Sequence, residues 1–172
     1  MPSISYPRKV AYTAIIAALY AVLTFLQNII FPGSTTWAIQ MRLSEALCVL
    51  AFFTPTASLG LALGCLVFNL AYAAALPLDF VVGTLATYLA CQAMWYTRNI
   101  TFHGIPWLGL LMPGLFNALL IGWELTVYIG GGFPVNALFV FLGEAAVLLV
   151  PGTALYLTIQ KRGLDQRIFG KS

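Results

Sequence analysis

The sequence is poor in charge. Of its 172 residues only 8% are charged, five acidic and eight basic, whereas 61% are apolar. A soluble domain carries roughly a quarter charged residues, so this chain has too few to cover a water-facing surface. The shortage excludes a soluble enzyme, a nucleic-acid binder and a disordered chain, since each needs more polar surface. With a mean hydropathy of +0.93, the composition predicts an integral membrane protein.

Cysteine and histidine are also scarce. The three cysteines all lie in apolar runs: Cys48, Cys65 and Cys91. Their spacings of 17 and 26 residues fit no metal-binding or redox motif. The single histidine, His103, falls in a predicted loop, which excludes a Ser–His hydrolase and a multi-histidine metal site. Gly170-Lys171-Ser172 imitates the end of a phosphate-binding loop, but Asp165 stands where its leading glycine is needed. We therefore expect no enzyme activity, metal or cofactor in this chain.

Six apolar segments are candidates for membrane crossings, each of which needs about 20 mostly apolar residues as a helix. They are Val10–Phe31, Leu43–Phe53, Thr56–Leu76, Pro77–Thr97, Pro106–Tyr128 and Pro134–Ile159. The second is short, because its residues rise only about 16 Å as an α-helix. It is therefore either a re-entrant half-helix or a crossing extended by Ile39–Arg42.

The basic residues decide between five and six crossings. With six, seven of the eight basic residues face the cytoplasm, as the positive-inside rule requires: Arg8, Lys9, Arg98, Lys161, Arg162, Arg167 and Lys171. With five, the basic tail would lie outside. We therefore expect one all-α transmembrane domain over residues 1–172, a compact six-helix bundle with a short second helix and both termini cytoplasmic.

This topology collects the acidic residues in the outer half of the membrane. Four of the five acidic residues fall there with Arg42: Glu45, Asp79, Glu124 and Glu144. An ionised side chain at the bilayer centre costs about 2.5–3.5 kcal/mol, so these groups should face an interior or a wet cavity. The functional interpretation is an outward-opening pocket with excess negative charge. Two structural alternatives are a neutralising Arg42–Glu45 pair and a helix N-cap role for Asp79.

Amide and aromatic side chains accompany the carboxylates at the same depth. They are Asn69, Asn117, Asn136, Trp37, Trp123 and Tyr128. By helical spacing Asn117, Glu124 and Tyr128 share one face of the fifth helix. The amides are candidates for ligand contacts and the aromatic rings for stacking. The alternative for the rings is the aromatic belt of the membrane interface.

Small residues form a second pattern. Helix one carries two overlapping pairs with small-xxx-small spacing, Ala14 with Ala18 and Ala17 with Ala21, and helix three carries Gly60 with Gly64. Such pairs let helix backbones approach closely. They predict either packing within the bundle or a docking face for another membrane subunit.

These motifs resemble the substrate-binding S-components of energy-coupling factor (ECF) transporters, in particular the QueT-type queuosine-precursor transporters. The resemblance covers most of the chain in order. Its blocks are Arg42–Leu47, Phe52–Ala57, Gly60–Cys65 with Asn69, Asp79 ahead of Gly83-Thr84, Asn117–Gly122 leading into Glu124-Leu125, and Gly143-Glu144.

The resemblance implies a six-helix bundle in the bacterial cytoplasmic membrane that captures its substrate from outside. It further implies association with a transmembrane coupling subunit and two cytoplasmic ATPases, with the small residues of helix one facing the coupling subunit. The implied substrate is a deazaguanine base with an aminomethyl arm, or its elaborated form queuine.

The chemistry of such a base fits the candidate residues. One carboxylate can accept hydrogen bonds from the ring N–H and the exocyclic amine, and the cationic arm favours a second carboxylate at low dielectric. We expect Glu124 and Glu144 to make these contacts, with Glu45 close behind. A donor for the ring carbonyl can come from Arg42, Asn69 or Asn117. The flat base can stack on an aromatic ring.

Three other functions stay open from the sequence. The first keeps the family but changes the ligand to another vitamin-like or purine-like compound. The second is a small proton-coupled exporter of organic cations that uses Glu144 as its titrating group. The third is a structural subunit whose carboxylates are all paired internally.

Overall fold

A computed structural model describes residues 5–35, 41–72 and 75–169. Its elements in chain order are α1 (Tyr6–Ile30), a 3₁₀ helix (Leu43–Phe52), α2 (Thr56–Ala71), α3 (Asp79–Thr97), α4 (Trp107–Tyr128), α5 (Phe133–Val147), a π-helical turn (Leu148–Gly152), α6 (Thr153–Lys161) and α7 (Leu164–Phe169). Within these ranges the only sheet-like pairing is an isolated bridge between Phe102 and Ile105. The prediction of an all-α protein is confirmed.

The second helix differs from the expected α-helix. As a 3₁₀ helix rising about 2.0 Å per residue, its ten residues span roughly 20 Å, more than an α-helix of this length. The proposed extension through Ile39–Arg42 is not formed at Met41 and Arg42, which are not helical. Ile39 and Gln40 lie outside the described residues. The segment is therefore short, as predicted, but more extended per residue.

Two other boundaries depart from the sequence prediction. Helix α2 ends at Ala71 rather than at the predicted Leu76. A proline disfavours the α conformation in the residue before it, and Leu76 precedes Pro77. The last long helix is interrupted by the π-helical turn around Pro151. Proline has no N–H to donate and its ring displaces a carbonyl of the preceding turn. Neither the earlier end of α2 nor the π-helical turn can be predicted from apolar composition alone.

The outer surface of the bundle is apolar. Ile29 is 74% exposed and Val150 71% exposed. Among the described residues, three helical stretches are both long and apolar enough to cross a membrane, namely Tyr6–Ile30, Trp107–Tyr128 and the continuous run Phe133–Lys161. Leu43–Phe52 and Thr56–Ala71 are shorter apolar helices. An apolar exterior around long apolar helices is what a bilayer requires.

The 3₁₀ helix lies at the centre of the packing. Consecutive helices from α1 to α5 pack side by side, and the 3₁₀ helix contacts each of α1 to α6 as well as the π-helical turn. Cys48, Val49 and Ala51 on it are fully buried. Because its neighbours surround it, this segment places Arg42 and Glu45, at and near its N-terminal end, inside the bundle.

Glycine allows α1 and α2 to approach closely. A Cβ atom at Gly60 would lie 2.9 Å from the Thr13 carbonyl oxygen, and one at Gly64 would lie 2.7 Å from the Ala17 carbonyl oxygen. The Gly60–Gly64 pair therefore packs within the bundle. On the facing helix α1, Ala21 is buried, whereas Ala14 and Ala18 are exposed. The two alanine pairs of α1 thus have different environments.

We expect Gly64→Ala to lower the stability of the bundle by about 1–3 kcal/mol, because its methyl group meets backbone and the Tyr20 Cβ, which cannot retreat cheaply. Thermal unfolding of the purified protein in detergent measures this. The matched control is Gly132→Ala, where the nearest atom lies 3.8 Å away and φ is −86°. Equal melting temperatures for the two variants would contradict the close α1–α2 contact.

Candidate functional site

The interior holds an unbalanced group of charges, called here the charge cluster. Its members are all buried, with exposed fractions of at most 4%: Arg42, Glu45, Asp79, Glu124 and Glu144. The fifth acidic residue, Asp165, lies apart in α7. Arg42 is the only buried basic side chain among the described residues. One guanidinium therefore faces four carboxyl groups in a region of low dielectric.

Arg42 pairs with Asp79. Its Nη2 lies 3.4 Å from Asp79 Oδ2, its Nε donates to the Thr35 carbonyl at 2.9 Å, and its Nη1 approaches Cys65 Sγ at 3.7 Å. The guanidinium carbon also stands 5.7 Å from the centre of the Phe68 ring. These contacts fix the Arg42 guanidinium against the start of α3.

Both structural alternatives considered from the sequence are wrong. Arg42 forms its salt bridge with Asp79 rather than Glu45, since the 3₁₀ helix and α3 bring those two side chains together. Leu78 is the N-cap and Asp79 the first residue of α3; Asp79 Oδ1 has no partner among the described residues, and Oδ2 accepts from Arg42. Its carboxylate is turned into the bundle instead.

Glu45 has partners within its own part of the bundle. The Tyr20 hydroxyl on α1 donates to Glu45 Oε1, and the Cys48 thiol donates to Oε2 at 3.0 Å. Both carboxylate oxygens are therefore occupied. Tyr20 is itself fully buried, so Glu45 is held in a fixed position.

Glu124 and Glu144 differ from Glu45, because they have carboxylate oxygens without partners among the described residues. In the described part of the chain neither oxygen of Glu124 has a hydrogen-bond partner, and Glu144 lacks one at Oε2. Arg42 and Asp79 are the charged neighbours of Glu124, while Glu45 and Arg42 are those of Glu144. Asn117 on α4 is a neutral polar neighbour of the Glu144 carboxyl. In the part of the chain that the structure describes, Arg42 is the one buried cation near both carboxyl groups, and Asp79 already engages it.

The unpartnered polar atoms of this region are all acceptors. Five buried oxygens lack a donor among the described residues: Glu124 Oε1 and Oε2, Glu144 Oε2, Asp79 Oδ1 and Asn69 Oδ1. A buried polar group without a hydrogen bond costs free energy, and a buried charge costs more. The arrangement suits a compact ligand that is rich in N–H or O–H donors and carries positive charge.

The remaining predicted residues divide into three groups. Asn69 and Asn117 are buried at the charge cluster. Asn136 donates to Thr126 Oγ1 and to the Gly130 carbonyl, both at 3.0 Å, and so fastens the turn between α4 and α5. Trp123 and Tyr128 are 51% and 42% exposed, so the structure does not bring them into the cluster. Trp37 lies outside the described residues.

The sequence reasoning missed a polar stripe on α1, formed by Tyr20, Thr24, Gln27 and Asn28. Thr24 Oγ1 donates to Ser44 Oγ at 2.7 Å, and Gln27 Oε1 accepts from the Leu43 N–H at 2.7 Å. These bonds fasten the start of the 3₁₀ helix beside Arg42. The sequence does indicate this stripe, because its four polar residues recur at helical spacing in an otherwise apolar segment.

We expect Arg42→Gln to destabilise the protein by about 3–5 kcal/mol, because it leaves Asp79 buried without its counter-charge. Asp79→Asn should cost less, since it lowers the excess of negative charge while Arg42 keeps Glu124 and Glu144 as charged neighbours. Denaturation midpoints compare the two variants. Arg167→Gln, on the exposed surface of α7, serves as the control. A larger loss for Asp79→Asn than for Arg42→Gln would contradict the excess of negative charge.

Comparison with known proteins agrees with the character of the site. The family model of the QueT transporter matches residues 10–161, which is nearly the whole chain and includes every member of the charge cluster. No curated protein and no solved structure matches the chain. An apolar helical exterior around a buried polar interior is what a membrane transporter needs. The family expected from the sequence motifs is confirmed, and the chain belongs to the QueT transporter family.

Proposed function

We propose that the protein is the high-affinity substrate-capture subunit of an ECF-type importer and takes up a queuosine precursor, either aminomethyl-deazaguanine or queuine. One observation carries the proposal. Among the described residues, the charge cluster and Asn69 hold five buried acceptor oxygens without donors, and the cluster has one cation for four carboxyl groups. A donor-rich, positively charged base would supply what the site lacks.

Glu124 and Glu144 are the proposed substrate carboxylates, because they have unpartnered oxygens and, unlike Asp79, no salt bridge among the described residues. Glu45 has both oxygens occupied by Tyr20 and Cys48, and its charge adds to the negative potential at Glu144. Asn117 is the best placed donor for the ring carbonyl, since Arg42 is engaged with Asp79 and Thr35. The exposure of Trp123 and Tyr128 gives no support to stacking on those rings.

The proposed topology has six crossings and both termini in the cytoplasm. The crossings are α1, the 3₁₀ helix, α2, α3, α4 and the continuous run Phe133–Lys161. One contact supports the even number: the Tyr12 hydroxyl near the start of α1 donates to the Ile168 carbonyl in α7 at 2.6 Å. The first turns of α1 and the short helix α7 are therefore adjacent. The basic residues near both ends would then face the cytoplasm.

The proposed partners are a transmembrane coupling subunit and two ATPases in the bacterial cytoplasmic membrane. Ala14 and Ala18 present an exposed small-residue face on α1, which would admit close approach of a partner helix. Ala17 and Ala21 belong to the side of α1 that packs within the bundle. We therefore propose Ala14 and Ala18, rather than all four alanines, as the docking face.

A proton-coupled exporter of organic cations is the second candidate, because the buried Glu144 could carry the proton. The two functions differ in their energy source. Vesicles containing only this chain should not accumulate labelled aminomethyl-deazaguanine when a pH gradient is imposed. Accumulation under those conditions would favour the exporter and contradict the proposed importer subunit.

For the purified chain we expect saturable equilibrium binding of labelled aminomethyl-deazaguanine or queuine. Glu124→Gln and Glu144→Gln should each weaken binding about tenfold to a hundredfold, because a buried hydrogen bond to a charged group contributes about 1.5–3 kcal/mol. Asp165→Asn, which removes a carboxylate in the α7 tail, is the matched control and should bind as the unaltered chain does.

The two possible failures of this experiment are distinct. If neither base binds the unaltered chain, the proposed substrate is wrong. If binding is tight and unchanged in both glutamine variants, the substrate stands but the site lies elsewhere.

A further inference from the structure

We propose that Asp79 and Asn69 form a separate subsite for the neutral donor edge of the base, while Glu124 and Glu144 take its cationic arm. This inference rests on the proposed function and deepens it, since it assigns each end of the ligand to its own residues. It also adds Asp79, whose side chain the sequence offered as a helix cap, to the binding site.

The charge of Asp79 is already balanced. One of its oxygens, Oδ2, faces Arg42 Nη2 at 3.4 Å, while the other, Oδ1, is buried and without a donor among the described residues. An ammonium group placed here would be repelled by the guanidinium. A neutral N–H group would not be repelled, and it could satisfy Oδ1.

Asn69 supplies the second acceptor. Asn69 is only 5% exposed, and its Nδ2 donates to the Asp79 main-chain carbonyl at 2.9 Å. That bond fixes which way the amide points and leaves Oδ1 unpartnered within the described structure. Asn69 therefore offers an acceptor that no protein group uses, independently of the acidic residues.

Gly83 shows that the two side chains converge. A Cβ atom at Gly83 would lie 2.9 Å from Asn69 Nδ2 and 3.0 Å from Asp79 Oδ1, so both groups occupy the space beside this glycine. The unpartnered Asn69 Oδ1 belongs to the amide whose Nδ2 lies at this glycine, so the two adjacent side chains each offer one acceptor and together suit a ligand with a pair of donors. The ring N–H and the exocyclic amine of a guanine-like base present such a pair on one edge.

Glu124 and Glu144 have the opposite character. Their unpartnered oxygens have no salt-bridge partner in the part of the chain that the structure describes. A cationic arm would supply the missing positive charge, and charge-assisted hydrogen bonds are the stronger kind. The electrostatic difference between the two subsites would orient the ligand, with its base edge at α2–α3 and its arm at α4–α5.

The test compares three probes by equilibrium binding to the full chain in detergent: aminomethyl-deazaguanine, the same compound without the exocyclic amine, and cyano-deazaguanine, whose arm is uncharged. The measured quantities are ratios of dissociation constants. A ratio does not depend on the fraction of folded protein, so a partly unfolded variant remains informative.

The unaltered chain should prefer aminomethyl-deazaguanine over each of the other probes by about tenfold or more, the effect of a buried group left unpaired. Asn69→Ala, which retains the Arg42–Asp79 pair, and Asp79→Asn should reduce the preference for the exocyclic amine to about threefold or less. Both should keep the preference for the charged arm. Glu124→Gln should do the reverse.

Other outcomes overturn the assignment. If the preference for the exocyclic amine persists in both Asn69→Ala and Asp79→Asn, or disappears in Glu124→Gln instead, the subsites are wrong while the proposed function stands. If the unaltered chain binds none of the three probes, the proposed function and the subsites fail together.

Discussion

The ion pair between Arg42 and Asp79 is the interaction on which the rest of the site depends. It places the one buried cation of the described chain at 3.4 Å from one carboxylate and so leaves Glu124 and Glu144 without a salt bridge of their own. In a low-dielectric interior an uncompensated carboxylate is costly. Ionisable groups inside a membrane protein are candidates for a functional site, and the proposed use of these is to bind a cationic, donor-rich ligand.

The backbone around this pair is built to hold it. The 3₁₀ helix carries Arg42 at its N-cap and Glu45 in its first turn, and the polar stripe of α1 fastens that end through Thr24 and Gln27. Close packing of α1 on α2 at Gly60 and Gly64 sets the position of the stripe. Small residues in the helix contacts and polar residues in the interior are thus parts of one arrangement.

Much of this fold could be predicted from the sequence, because a membrane span is a long apolar run and its ends carry proline, glycine or charge. The approximate helix positions followed from those features, and the family followed from motif blocks such as Arg42–Leu47 and Asn117–Gly122. The partner of Arg42 did not, because Glu45 is near in sequence while Asp79 is brought near only by packing. Likewise, spacing placed Tyr128 on the face of Glu124, yet it is 42% exposed. Apolar composition does not distinguish a 3₁₀ helix from an α-helix, so the geometry of Leu43–Phe52 needed the structure.

The central claim is that the unpartnered carboxylates are completed by a positively charged base. The most direct test is an experimental structure of the protein in lipid with aminomethyl-deazaguanine bound. The ammonium nitrogen should lie within hydrogen-bonding distance, about 2.7–3.2 Å, of a carboxylate oxygen of Glu124 or Glu144. A ligand bound away from both residues, or a bound structure in which both carboxylates are paired with protein donors, would contradict it.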